Sequence, residues 1–456
     1  MIQKSIAALG ILSGAFLFAA NAADSLETKA DSVQAAPAVK EQPVKKDSLA
    51  ASAPVEKPAA EAEVRNMKTK LVGMGSLEAG QVAKGEPRGG ENSLEKIWYQ
   101  RIYMHIGFNA TINDRTKVNV VGESMVHYSW TESKDITDNL RPIYSFYPYD
   151  LEGTYCWGNS ERPLFMLGFG IFPFKYNPDV RNLGEYLYRT STYPPTMTSE
   201  FDFPLARLTG FRLSSTPIDS LHLCAMLTSE SDVIPLQDWG VSLLGDYTIM
   251  KAVTVGAGVF WSHLISVNEY NTTPKIATNL DADSVYYTFR GTKLMGRFAF
   301  DPKTFIPVNV FGENDLRLYS EIAVIGLTDY PPYYKDLWRR IPVMVGFNVP
   351  AFKLLDVFSV ELEWYRWNYP NSYTANIWQN QAPLPDLDDN YDPQQNELKW
   401  SVYTKKQIGN FSLIGQVAFD HMRLECNGFQ NGGTYYGDAM HMHGDWAWIF
   451  KTQFDF

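Results

Sequence analysis

Cysteine is scarce in this 456-residue chain: there are three, Cys156, Cys224 and Cys426, far apart in sequence. Three is too few for a disulfide framework, and the spacing matches no metal knuckle. Excess positive charge is also missing. Against 40 Lys and Arg stand 51 Asp and Glu, giving a net charge of -11. A nucleic-acid binder needs a basic face, so no nucleic-acid partner is expected. Beyond the N-terminus no run of about 18 or more apolar residues occurs, which excludes a transmembrane helix there. Aromatic residues, by contrast, are plentiful: 12 Trp, 26 Tyr and 26 Phe, 14% of the chain.

The N-terminus reads as an export signal. Lys4 supplies a positive start, Ile6 to Ala20 is apolar or small, and Ala20-Asn21-Ala22 fits the small-residue cleavage rule. Residues 1–22 are therefore expected to be a signal peptide. Because Ala23 follows rather than cysteine, no lipoprotein anchor is expected. Residues 24–65 lack any aromatic residue and consist largely of Ala, Pro, Lys, Glu, Ser and Val. Such a segment cannot bury enough apolar surface to offset the entropy of ordering. It reads, over 23–65, as a disordered periplasmic tether. It is a plain spacer or a contact to peptidoglycan, the latter on composition alone.

From 66 to 456 the character is constant and the period is two, which predicts one all-β domain. Ile102, Met104, Ile106, Phe108, Ala110 and Ile112 share one face, and Arg101, Tyr103, His105, Asn109 and Thr111 the other. Asn113-Asp114 then marks a tight turn. The same alternation runs through 221–228, 253–261, 340–349 and 358–365. A soluble sandwich gives this pattern too. Strand length and connections favour a membrane barrel: runs of about ten residues or more, with short turns alternating with long loops. Short turns are expected at Asn113-Asp114, Pro217-Ile218, Met250-Lys251 and Gln407 to Asn410. Long connections are expected around 131–150, 174–204, 266–284 and 370–396.

In the last strand Trp446, Trp448, Phe450, Thr452, Phe454 and Phe456 share a face. That terminus resembles the closing strand of bacterial outer-membrane β-barrels. The resemblance implies that Trp448, Phe450, Phe454 and Phe456 form the signal read by the barrel-insertion machinery. It also implies the cell outer membrane as location, with lipid and lipopolysaccharide as surroundings. Strands are expected at 66–78, 94–112, 115–131, 150–158, 163–173, 205–216, 219–230, 238–249, 252–266, 285–301, 316–329, 340–350, 356–370, 396–406, 411–426 and 442–456. That gives an antiparallel up-and-down barrel of sixteen strands, or fourteen if the first and fourth are dropped. With sixteen, every tight turn falls on one side, and 302–315 is the one long connection there.

Sixteen strands make 174–204 the third long loop, the position of the loop that folds inward in porins. Asn177-Pro178-Asp179 reads as a helix start, and Val180, Leu183 and Leu187 form a stripe at helical spacing. A short helix inside this loop is expected, packed on the inner wall or lying on the outer surface. Asp179, Arg181, Glu185 and Arg189 are the candidate constriction residues. Candidate lumen-wall residues are Arg101, Arg297, Glu361, Glu363 and Lys399, with Lys117, Glu123, Asp246, Lys293, Glu321 and Lys405 also pointing inward. Mixed signs on a net acidic chain suggest at most a mild cation preference, which Arg181 and Arg189 could reverse locally.

Enzymatic sites are not expected. Seven histidines are spread along the chain, and His441-Met442-His443 with Asp438 lacks a third convergent ligand. The acidic run Asp386 to Asp392 fails as a calcium loop because Tyr391 stands where glycine is required. No cofactor, metal or catalytic residue is therefore assigned. The function these residues point to is a porin-like channel for passive diffusion of small hydrophilic solutes, and the porin resemblance implies a homotrimer. The alternative is a structural or adhesive barrel that binds a surface or polysaccharide through its loops. One expectation concerns the tether: deleting 24–65 should leave strand content and heat resistance unchanged by circular dichroism and gel mobility, and a loss of either contradicts it.

Overall fold

Strict alternation forces each strand to present one apolar and one polar face. When such strands close on themselves, the polar face must enclose an interior. The computed structural model describes residues 67–85, 98–130, 143–158, 163–188, 206–229, 237–268, 273–278, 284–288, 290–306, 308–327, 337–365, 397–420, 423–427, 434–438, 440 and 444–456. The segment expected to be a signal peptide, 1–22, the expected tether, 23–65, Arg189, the acidic run 386–392 and His421, His441 and His443 lie outside the described residues.

The strands are β1 Lys68–Lys84, β2 Trp98–Asn113, β3 Thr116–Trp130, β4 Ile143–Gly158, β5 Pro163–Phe174, β6 Ala206–Ile218, β7 Leu221–Ser229, β8 Trp239–Ile249, β9 Val253–Ile265, β10 Lys275–Thr278, β11 Ser284–Tyr287, β12 Gly291–Phe300, β13 Leu318–Ile325, β14 Val343–Asn348, β15 Val357–Tyr365, β16 Glu397–Ile408, β17 Phe411–Phe419, β18 Arg423–Asn427, β19 Thr434–Asp438 and β20 Trp446–Asp455. Sixteen of them form a closed antiparallel barrel in chain order, from β1 round to β20. The remaining four make two separate hairpins, β10 with β11 and β18 with β19. Each of the sixteen expected strands has a barrel strand in its place. The first and fourth, on which the choice between fourteen and sixteen turned, are both part of the wall.

Four boundaries differ most; the strand expected over 285–301 begins at Gly291, and 284–287 pairs with 275–278 instead. The fourth strand begins at Ile143 rather than 150, and β1 runs on to Lys84 rather than 78. The strand expected over 411–426 ends at Phe419, and 423–427 pairs with 434–438 instead. Cys426 therefore lies outside the barrel order, whereas Cys156 and Cys224 are buried free thiols on barrel strands.

The two faces divide as alternation requires. Ile102, Met104 and Ile106 are exposed on the outside while Arg101 and Tyr103 of the same strand are buried within. Leu362 and Trp364 face outward while Glu361 and Glu363 are fully buried. A continuous apolar outer face of this extent would aggregate in water; the hydrocarbon core of a bilayer matches it.

The tight turns lie together at the end of the barrel that holds both strand termini. At one, the Asn113 side chain accepts from Arg115 N and Thr116 N at 2.9 and 2.8 Å. At two others, consecutive residues take left-handed backbone: Met250 and Lys251 (φ 50° and 58°), and Phe352 and Lys353 (φ 50° and 65°). Left-handed turns match the twist of the flanking strands. The long connection 302–315 is also at this end. It starts with a short 3-10 turn at Pro302–Phe305 and is held by Asp315, whose carboxylate accepts from Gly312 N, Ala351 N and Phe352 N.

Closure is completed by β1 and β20. Phe456 exchanges two backbone hydrogen bonds with Gly73, each 3.0 Å. Its ring occupies the space a Cβ on Gly73 would need, so this glycine makes room for the terminal aromatic. Phe450, Phe454 and Phe456 lie on the exposed outer face with Trp446. Replacing Phe456 with Asp, or Gly73 with Leu, should therefore reduce the yield of folded, heat-modifiable barrel in membranes. Unchanged yield in both variants contradicts this account of closure.

Candidate functional site

The register of the wall concentrates charge at one level. Across β8, β9, β12, β13, β14, β15 and β16, the paired positions Asp246, Gly256, Arg297, Glu321, Met344, Glu363 and Lys399 form one inward row. In the adjacent row Tyr319, Gly346, Glu361 and Ser401 are aligned. Glycines between the large residues let side chains reach across a strand. The Arg297–Asp246 pair (Nε to Oδ1 2.6 Å) lies over Gly256. The Tyr319 ring lies over Gly346 and reaches Ser359 and Glu361 at 2.6 and 2.8 Å.

Onto this wall folds the first half of the third long loop. Among its described residues, 175–188, there are turns and bends but no helix, so the expected helix is corrected. The reason is in the hydrogen bonds. Backbone N–H groups that a helix would satisfy internally instead donate to wall carboxylates. Arg181 N, Asn182 N and Leu183 N donate to Glu361 at 2.5, 2.8 and 3.0 Å. Gly184 N donates to Glu363 at 3.1 Å. Glu185 N and Tyr186 N donate to Glu321, both at 3.0 Å, and Leu187 N donates to the Tyr176 hydroxyl at 3.2 Å.

The turn that permits this run is left-handed at Gly184 (φ 85°) and Glu185 (φ 55°). A Cβ at Gly184 would press on Met344 and the Glu321 carboxylate, so the position needs glycine on two counts. The apolar residues at helical spacing serve the wall: Val180, Leu183 and Leu187 are fully buried. Val180, Leu183 and Tyr186 pack with Tyr319, Ala323 and Met344, and Leu187 and Tyr188 with Phe172, Leu208 and Phe260.

Each wall carboxylate would be costly to bury alone, by several kcal/mol. Charge-assisted hydrogen bonds offset that, at roughly 1.5–3 kcal/mol each. Glu361 accepts four, counting the Tyr319 hydroxyl. Glu321 also accepts four, from Tyr176, Asn177, Glu185 and Tyr186. Cations close the arrangement. Lys293 donates to Tyr186 O at 3.1 Å, Arg297 to Asn177 Oδ1 at 3.5 Å, and Arg317 to Asp179 Oδ2 at 3.0 Å. Glu185 closes the loop on itself by accepting from Asn177 N at 2.6 Å. Burial, helped by the neighbouring Glu321, pushes the Glu185 carboxyl well above the usual range. Burial lowers Lys175 to about 8, against the opposing pull of Glu185.

Of the candidate constriction residues, Asp179 and Glu185 are buried in these contacts and Arg181 stays partly exposed, its guanidinium on the Pro178 carbonyl at 3.0 Å. Arg189 lies outside the described residues. The structure brings Glu361, Glu363 and Arg297 to the loop, while Lys399 binds the Asp420 and Met440 carbonyls. Arg101 sits elsewhere, paired with Glu78. Sequence reading put Glu321 on the inner face without marking it as an anchor, and passed over Arg207, Arg212 and Arg317. On the wall away from the loop's anchor, Glu123 meets His105 and Arg207, and Glu152 meets Arg212.

No protein family matches the sequence, and no curated protein does. Among solved structures, engineered variants of the porin from Rhodopseudomonas blastica are similar. Two of them are 10% and 11% identical, cover 85% of this chain and 100% of theirs, and superpose with a TM-score of 0.41. A structure titled "Asymmetric conductivity of engineered proteins" is similar at 10% identity and a TM-score of 0.40.

Replacing Glu361 with Ala strands three amides, at roughly 1–3 kcal/mol for each one left unpaired, while the Tyr319 hydroxyl keeps Ser359. The variant should keep the barrel but expose 175–188 to added protease. Protection equal to the parent's would show that the carboxylate does not hold the loop.

Proposed function

We propose that this protein is an outer-membrane channel for passive diffusion of small hydrophilic solutes, narrowed by the loop 174–204. The observation that carries the reading is the attachment of 175–188 to the inner wall of a closed sixteen-stranded barrel. A barrel of this strand number encloses more space than wall side chains fill, so an aqueous lumen remains. A segment folded into that space and fixed by carboxylates on β13 and β15 reduces the cross-section. It does so without closing the barrel to water-soluble solutes. The polar inner face and apolar outer face suit a pore through a bilayer, and an enzyme's convergent catalytic groups form no part of the reading.

The loop enters between β5 and β6 at the end opposite the tight turns and reaches toward the turn end. Asp179 meets Arg317, immediately before β13, and Asn177 meets Arg297, three residues from the end of β12. The narrow zone would therefore extend from mid-barrel to the periplasmic third, with charges in a confined space screened less than charges at the rim.

Single-channel recording of the purified full-length protein in planar bilayers tests this. The parent should conduct, and deletion of 177–187 should raise the unit conductance. Insertion without conduction would discard the channel. Conductance unchanged by the deletion would discard the narrowing.

A further inference from the structure

The chain is acidic, yet its acids and bases are not equally available to the lumen. Glu321, Glu361 and Glu363, covered by the loop they bind, and Glu185 on the loop itself are at most 3% exposed. The ion pairs elsewhere on the inner face are lopsided in the same sense. The side chains of Arg207 and Glu123 are 13% and 4% exposed, those of Arg212 and Glu152 are 19% and 5%, and those of Arg317 and Asp179 are 31% and 8%. In each of these three pairs the carboxylate is more covered than the guanidinium, Glu123 and Glu152 on wall strands and Asp179 on the loop. Two pairs depart from this: Arg101 and Glu78 are equally covered, at 5% each, and Asp246 is 22% exposed against 8% for Arg297. Arg181, on the loop, is partly exposed and its guanidinium donates to the carbonyls of Pro178 and Val180.

These guanidinia also stand at successive depths. Arg207 is one residue inside the loop end of β6, Arg212 is midway along it, and Arg317 is at the turn end of β13. A solute crossing the lumen would meet partly exposed cations along its path, among the described residues, while most of the compensating carboxylates are shielded from it. Covered charge has already formed its hydrogen bonds and is short of free valence; exposed guanidinium N–H groups retain the capacity to bind an anion.

We propose that the lumen selects small anions over cations, with Arg181, Arg212 and Arg317 as the selecting groups. This rests on the channel reading above and fixes its substrate class: small inorganic anions, for which chloride and inorganic phosphate are the probes. The sign is opposite to what the net charge of -11 alone suggests.

The test is the reversal potential of the full-length protein in planar bilayers across a potassium chloride gradient, repeated with potassium phosphate. Chloride should permeate at least about two-fold better than potassium at an ionic strength near 0.1 M, where the Debye length is about 10 Å. Arg212→Gln and Arg317→Gln together should lower that ratio toward one. Arg212→Lys with Arg317→Lys, which keep the charge, should preserve it and so separate a loss of charge from a change of shape. A parent that conducts but prefers potassium overturns the anion proposal and leaves the channel standing. So does a ratio that the Gln pair does not move. A parent that never conducts overturns both readings. Folding of each variant is checked beforehand by heat-modifiable mobility, and if the Gln pair fails to fold, the parent's reversal potential alone decides.

Discussion

A buried carboxylate must find donors, and on this inner wall three of them find the backbone of one loop. Six successive amides, from Arg181 to Tyr186, are taken up by Glu361, Glu363 and Glu321. Neither side is stable in this form without the other. Stripped of the loop, the carboxylates would need water or protons. Stripped of the carboxylates, the loop's amides would be buried and left unpaired. The wall register makes the match, because pairing of β13, β14 and β15 brings Glu321 and Glu363 into one row and Glu361 into the next.

The arrangement also depends on what the wall omits. Tyr319 reaches Glu361 because Gly346 beside it has no side chain, and Arg297 reaches Asp246 because Gly256 has none. The same economy holds for Glu152 and Arg212, which meet over Gly168. Large charged side chains on one face of a pleated sheet need such gaps, since direct neighbours stand only about 5 Å apart. The loop supplies its own gap at Gly184, where the left-handed backbone redirects the run of amides from Glu361 toward Glu321.

Most of the wall was legible in the sequence. Period two, aromatic closure at Phe456 and the alternation of short and long connections together lead to sixteen strands. The inward placement of Arg101, Arg297, Glu361, Glu363 and Lys399 follows from parity. Parity cannot say which inward group meets which, because that depends on register between strands remote in sequence: Glu321 and Asn177 are 144 residues apart. The loop misled for a related reason. Val180, Leu183 and Leu187 recur as a helical stripe would, and helix propensity assumes that the backbone satisfies itself. Here the acceptors lie on other strands, so the same apolar residues pack on the wall from an irregular backbone. Arg207 was missed because it is out of step with its strand's inward residues, Leu208 and Gly210, and joins Glu123 and Tyr147 by reach rather than by parity.

Net charge, finally, is a poor guide to the field inside such a barrel. Composition counts every carboxylate equally, but a carboxylate holding four donors presents little to a passing ion. Its charge is partly answered by the dipoles that surround it. A guanidinium with three flexible methylenes beneath it keeps its head toward water while its stem packs on the wall. Pairing the two on a concave surface therefore favours one outcome: short acids sink, long bases remain at the surface. The larger the share of acids used to anchor structure, the more basic the remaining lumen becomes. In this barrel the anchoring of the loop and the sign of the exposed lumen charge are thus consequences of one constraint, the need to satisfy buried carboxylates.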